Sequence, residues 1–341
     1  MALLVLVAAC TSKQTTGEEV VEEEVNEVNV YTHRHYEADK KLFAEFEATT
    51  GIKVNVVNAS ADELINRMEL EGEDSPADIL ITVDAGRLHR AKEKGLLQAI
   101  DSETLNSSIP QNFRDSEGYW YGVSYRARII AYSKDRVDPS EITDYESLAD
   151  PKWQGKVLIR SSGNIYNQSL MASIIASQGS DAARSWAEGV VANMAREPKG
   201  NDRDQVKAVA AGLGDVAVLN TYYIGKLLDS KNPEEVAAGE AIGVIFPNQE
   251  SRGTHVNVSG AAVARHAPNQ EHAVAFLEYL TSDAAQTLFA ESNFEYPVKP
   301  GIALAPLLES WGSFKTDSIN LGLLGKHNKD AVLLFDQVGW K

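Results

Sequence analysis

From residue 28 onward the chain alternates between short apolar runs and longer stretches in which apolar residues recur every three or four positions. Val28-Asn29-Val30-Tyr31-Thr32 has the two-residue period of a strand. Residues 36–49 carry Leu42, Phe43 and Phe46 on one face and end at Gly51, as a helix closed by glycine does. The same alternation predicts a strand at 52–57, a helix at 61–70, a strand at 77–82 and a helix at 85–94. This βαβαβ order predicts a parallel, doubly wound lobe. The β-prone run 125–132 is long enough to pass from one lobe to another. Beyond it a second lobe is expected, with a strand at 156–160, helices at 166–177, 181–195 and 202–211, and a strand at 215–219. The extended run 254–263 would cross back, followed by helices at 269–281 and 283–291 and a tail to Trp340. Two lobes joined by two extended crossovers imply a hinge over a cleft.

Length and composition agree with two globular lobes. The 341 residues are 43% hydrophobic and 24% charged, with a formal net charge of −17. A chain this acidic, with no basic stripe, repels a polyanion, so nucleic acid is excluded as a partner. The single cysteine, Cys10, leaves no internal disulfide to form. It ends the apolar run Met1 to Val7 followed by Ala8-Ala9-Cys10-Thr11, which resembles the lipobox of bacterial lipoproteins, where the cysteine becomes lipidated. Residues 1–10 are thus expected to be a lipoprotein-type signal segment. The glutamate-rich residues 11–27 are expected to be a solvated acidic tether beside a membrane anchor.

The candidate chemistry lies where strands run into helices. Val216-Ala217-Val218-Leu219 is followed by Asn220-Thr221-Tyr222-Tyr223-Ile224, with the next helix expected to begin near Gly225. Tyr36 and Tyr166 stand at the same kind of junction. Such junctions face the ligand crevice of open α/β sheets. A core position favours an apolar group, and a buried phenol needs a partner. Four tyrosines there, with His35 beside Tyr36, can converge on one hard cation. Phenolate is a hard anionic donor suited to Fe(III), and one cysteine rules out a thiolate site. The same residues can also line a pocket for a small organic solute such as a polyamine, sugar or organophosphonate. Arg126, at the first crossover, can balance phenolate charge or hold an anion. No HExxH, CxxC, Walker loop or Gly-x-Ser-x-Gly occurs, so nothing marks an enzyme.

Several stretches together carry a resemblance. They are Arg34-His35-Tyr36, Ser75-Pro76-Ala77-Asp78, Arg126-Ala127-Arg128, Asp150-Pro151-Lys152-Trp153 and Tyr166-Asn167-Gln168-Ser169-Leu170. Further along come Gly200-Asn201-Asp202, Asn220-Thr221-Tyr222-Tyr223, Phe246-Pro247-Asn248-Gln249 and Gly253-Thr254-His255-Val256-Asn257. With these the chain from Val28 to Lys341 resembles the ferric-iron-binding solute-binding proteins of bacterial ABC transporters, in the cyanobacterial FutA-type branch. The resemblance implies an α/β, two-lobed type II periplasmic binding-protein fold, each lobe a mostly parallel sheet flanked by helices, with a two-strand hinge. The first lobe would comprise 28–126 plus about 256–297, and the second 127–255 plus about 298–341. It implies Fe(III) bound by Tyr36, Tyr166, Tyr222 and Tyr223, with His35 a ligand in some members and Arg126 close behind the tyrosines. A synergistic anion such as carbonate would be a further component, an ABC permease the partner, and a lipid-anchored extracytoplasmic monomer the working form. Two departures stand out. Val83 occupies the place of a glutamate that ligates in some relatives, and Lys226 replaces an arginine common after the paired tyrosines.

Overall fold

The computed structural model describes residues 26–341. The signal segment, Cys10 and nearly all of the expected tether therefore lie outside the described residues. Among the described residues there are nine strands: β1 (Glu27–Thr32), β2 (Lys53–Asn58), β3 (Ile79–Val83), β4 (Tyr121–Ser133), β5 (Val157–Leu158), β6 (Val216–Asn220), β7 (Ile242–Ile245), β8 (Val256–Val263) and β9 (Tyr296–Pro297). Glu27, assigned to the tether by its charge, opens β1 opposite Lys53.

The first lobe has the expected parallel core, with β1 flanked by β2 and β3. Its helices start and stop on local signals. Ser60 accepts from the Glu63 N–H and Glu63 reaches back to Ser60, capping the Ala61–Glu71 helix from both sides. Gly51 takes the left-handed conformation, φ 72°, that ends the Glu37–Thr50 helix. Val28, Val30, Leu42, Phe46 and Ile79 are buried between sheet and helices.

β4 is the spine of the molecule. Its residues Tyr121–Ala127 pair antiparallel with β8, and Arg128–Ser133 pair antiparallel with β6 and β7. One continuous strand thus passes from the first lobe's sheet into the second's. The strand order is β2-β1-β3-β8-β4-β6-β5, with β7 and β9 also on β4. The return crossing runs from β7 to β8. A third connection follows β9, in addition to the two extended crossovers. There Thr316 bridges Thr254, the Leu321 N–H donates to Asn112, and the Asn328–Val338 helix leads to Lys341, whose carbonyl accepts from Ser162.

Other differences have readable causes. The helix expected near Gly225 begins at Thr221, so Tyr222 and Tyr223 lie inside its first turn. β-Branched and aromatic residues are weak helix formers, which hid that turn. Gly225, read as a start, is instead a packing glycine, because a Cβ there would lie 2.4 Å from the Phe294 ring. The strand expected at 156–160 shrinks to Val157–Leu158. The tail holds three helices, Pro306–Ser310, Gly322–Lys326 and Asn328–Val338.

Candidate functional site

Three helix N-termini meet between the lobes. Tyr36 stands at the N-cap of the Glu37–Thr50 helix, its N–H donating to Asp39. Tyr166 is in the first turn of the Ile165–Gln178 helix, capped by Asn164, and Tyr222 and Tyr223 open the Thr221–Leu228 helix. Each helix end supplies a partial positive charge, which favours an anionic phenolate. The hydroxyls of Tyr166 and Tyr222 are 3.3 Å apart, and the Tyr222 and Tyr223 rings have centroids 4.2 Å apart. Lys226 ties Tyr36 to this group, its Nζ 3.7 Å from the Tyr36 ring centroid and 5.2 Å from that of Tyr222. All four predicted tyrosines therefore share one site, Tyr36 from the first lobe and three from the second.

The phenols of Tyr36, Tyr222 and Tyr223 hold their protons tightly. Burial pushes Tyr36 well above the ordinary phenol value, and the Glu295 carboxylate and the neighbouring Tyr166 and Tyr223 add to it against the pull of Arg34. Burial and then Tyr166, Tyr36 and Tyr223 raise Tyr222 likewise. Tyr223 is pushed up to about 12 by burial and by Tyr166 and Asp202. Mutual repulsion of this kind means that ionising them together requires a cation among them.

A shell of buried charges lies beneath. Arg126 has its guanidinium carbon 5.4 Å from the Tyr166 ring centroid and donates from Nη1 to Ser259 at 3.3 Å, while its Nε and Nη2 have no partner among the described residues. Arg128, 5.9 Å from the same ring, donates to Asp202 and Asn167 at 2.8 and 2.7 Å. Arg34 lies 5.0 Å over Tyr36 and is paired with Asp39 at 2.9 Å and Glu295 at 3.0 Å. Burial alone would raise the Glu295 carboxyl, but Arg34 and Arg126 outweigh it and hold it down at about 2. Burial lowers Lys226 to about 8, with Arg34 and Arg203 pushing the same way against Glu295 and Asp39.

His35 is placed less centrally. Its ring is exposed, 5.4 Å from the Tyr36 ring, with Nδ1 3.4 Å from the His33 carbonyl, and no contact joins it to the other three tyrosines. Val83 is buried in β3, and the carboxylate of the following Asp84 is fully engaged by Gly86, Ser169 and Asn257. Among the described residues no group of three or more His, Cys, Asp or Glu side chains is placed to hold a metal ion. Glu295, the roles of Arg34 and Arg128 and the placement of Lys226 over Tyr36 escaped sequence reasoning. Glu295 sits in an aperiodic stretch, and only the return of the chain through β9 brings it under Tyr36.

A model of the bacterial extracellular solute-binding proteins matches residues 74–315, and the chain belongs to that family. Iron uptake protein A1 of Synechocystis is 49% identical over 318 residues, which span 93% of this chain and 88% of that protein. Among solved structures, the Trichodesmium FutA (IdiA) protein in complex with iron and citrate is similar with a TM-score of 0.91 and 53% identity, covering 92% of this chain and all of that one. The ferric binding protein from Campylobacter jejuni is similar with a TM-score of 0.87 and 44% identity over 92% of this chain and all of its own. No helix among the described residues is long and apolar enough to cross a membrane.

Proposed function

We propose that this protein captures ferric iron outside the cytoplasm, between its two lobes, and delivers it to an ABC-type importer. The observation that carries this reading is the convergence of Tyr36 with Tyr166, Tyr222 and Tyr223 on one site, from two lobes and three helix N-termini. The four phenolates are the ligands. Together with Fe(III) they carry one net negative charge, and Arg34, Arg126, Arg128 and Lys226 lie against their rings to offset it. His35, next to Tyr36, is the candidate for a further ligand. The two free nitrogens of Arg126 are the candidate seat of an anion such as carbonate. The iron in the names of the relatives supports the same cargo.

The lobes are taken as 28–126 plus about 256–297 and 127–255 plus about 298–341, in line with the change of pairing partner between Ala127 and Arg128 on β4. Because the ligands come from both lobes, metal binding favours the closed form, which is the form for the permease to recognise. The protein works as a monomer, lipid-anchored through Cys10, and is not an enzyme. The test is a visible titration of metal-free protein with ferric citrate, for wild type and Tyr223→Phe. A broad phenolate-to-iron band in wild type, weakened or shifted in the variant, is expected. If iron adds no band while the protein binds an organic solute, the tyrosines line an organic pocket and this reading is wrong.

A further inference from the structure

A buried carboxylate at the junction of the lobes is left over by the tyrosine site. Asp84 follows β3 with φ 82° and ψ 118°, a backbone conformation that a non-glycine residue keeps only where its surroundings impose it. Its side chain is wholly buried. Within the first lobe it accepts from the Gly86 N–H at 2.8 Å and from Asn257 Nδ2 at 2.8 Å, at the start of β8. Its remaining partner comes from the second lobe, where the Ser169 Oγ is 2.8 Å from each carboxylate oxygen and is itself wholly buried. Ser169 lies one turn beyond Tyr166 on the Ile165–Gln178 helix, so the contact ties the Tyr166 phenol to the first lobe.

The packing around this pair is close. The Gly322–Lys326 helix rests against the Ile165–Gln178 helix and meets the Ala85–Glu93 helix that Asp84 caps. A Cβ on Gly86 would lie 3.9 Å from the Gly325 Cα, and one on Gly325 would lie 2.3 Å from the His89 Cβ. The lobes thus meet through glycine backbone beside a hydrogen bond to a buried carboxyl group.

We propose that Asp84 and Ser169 form an interlobe latch, a positioning contact that holds the second lobe and Tyr166 closed on the first. This rests on the function above in taking Tyr166 as a ligand. On this proposal Ser169 and Asp84 part when the cleft opens, so that the hydrogen bond between them biases the lobes toward the closed state. Ser169→Ala removes the donor but leaves Asp84 its two first-lobe partners. Ferric affinity then falls about tenfold, within the range of one hydrogen bond to a charged group. Gly325→Ala inserts a methyl group at the same interface without touching Asp84 or a tyrosine, and acts in the same direction.

The experiment is chelator competition for ferric iron with the full-length protein. It is read beside the melting temperature and the small-angle scattering of the metal-free form. Affinity about tenfold weaker in Ser169→Ala, with the metal-free melting temperature unchanged, supports the latch. Affinity within twofold of wild type overturns it, and so does a loss matched by a lower melting temperature, which marks a merely structural role. Should Ser169→Ala not fold, Gly325→Ala is judged by the same criterion. If wild type itself binds no ferric iron, the proposed function fails and the metal-free scattering decides. A larger radius of gyration in the variant then supports the latch, and an equal or smaller one overturns it.

Discussion

Loading this site with iron has to drive protons off it, and the number follows from the burial of the phenols. In the metal-free cleft Tyr36, Tyr222 and Tyr223 keep their protons far into the alkaline range, Tyr223 to about 12. At pH 7 all three are neutral, whereas as iron ligands all three are ionised, so at least three protons leave per Fe(III) bound. The sign is unambiguous. Below the phenol values acid favours the metal-free form, and the apparent affinity falls as the pH falls. Each released proton makes that fall about tenfold per pH unit, so three make it about a thousandfold, or about 4 kcal/mol per unit. The assay is a pH-stat titration with a ferric chelate of known proton balance, repeated as chelator competition at pH 6 and pH 7. Fewer than two protons per iron, or an affinity that changes less than about a hundredfold between those pH values, would refute the phenolate ligation even if iron binds.

Three further outcomes are expected. Glu295→Gln leaves Arg34 and Arg126 buried without their shared carboxylate and should destabilise the metal-free protein by about 3 kcal/mol in denaturant unfolding. In the wild type, the stability tied to the depressed Glu295 value is fully present above about pH 4.5 and is lost as acid passes pH 2, so acid unfolding should steepen in that window and Glu295→Gln should flatten it. Lys226, lowered to about 8 by burial, should be a cation over Tyr36 below that pH and neutral above it, as a carbon NMR titration of labelled lysine side chains would report. A Lys226 resonance titrating above pH 10 would contradict the burial assigned to it.

Much of this arrangement was legible in the sequence because the signals were local. The βαβαβ run from β1 to β3 follows from strand alternation, the cap at Ser60 and the glycine at 51, and each acts within a few residues. The tyrosines were legible for a similar reason, since each sits at a strand-to-helix junction whose direction the fold determines. What was not legible depends on distant packing. Thr221 starts its helix where its hydroxyl accepts from the Ala127 N–H, and Gly225 is set by the ring of Phe294. Glu295 and Arg34 are 261 positions apart in the chain and meet as a buried pair. Tail helices such as Asn328–Val338 take their place from the second lobe, with Trp340 packed on Trp186, and no short-range pattern announces that.

The measurement that bears most directly on the central claim is a crystal structure of the iron-loaded protein with diffraction recorded at the iron absorption edge. One anomalous peak is expected between the lobes, within bonding distance of the phenol oxygens of Tyr36, Tyr166, Tyr222 and Tyr223. A peak elsewhere, or one that leaves those oxygens uncoordinated, would contradict it.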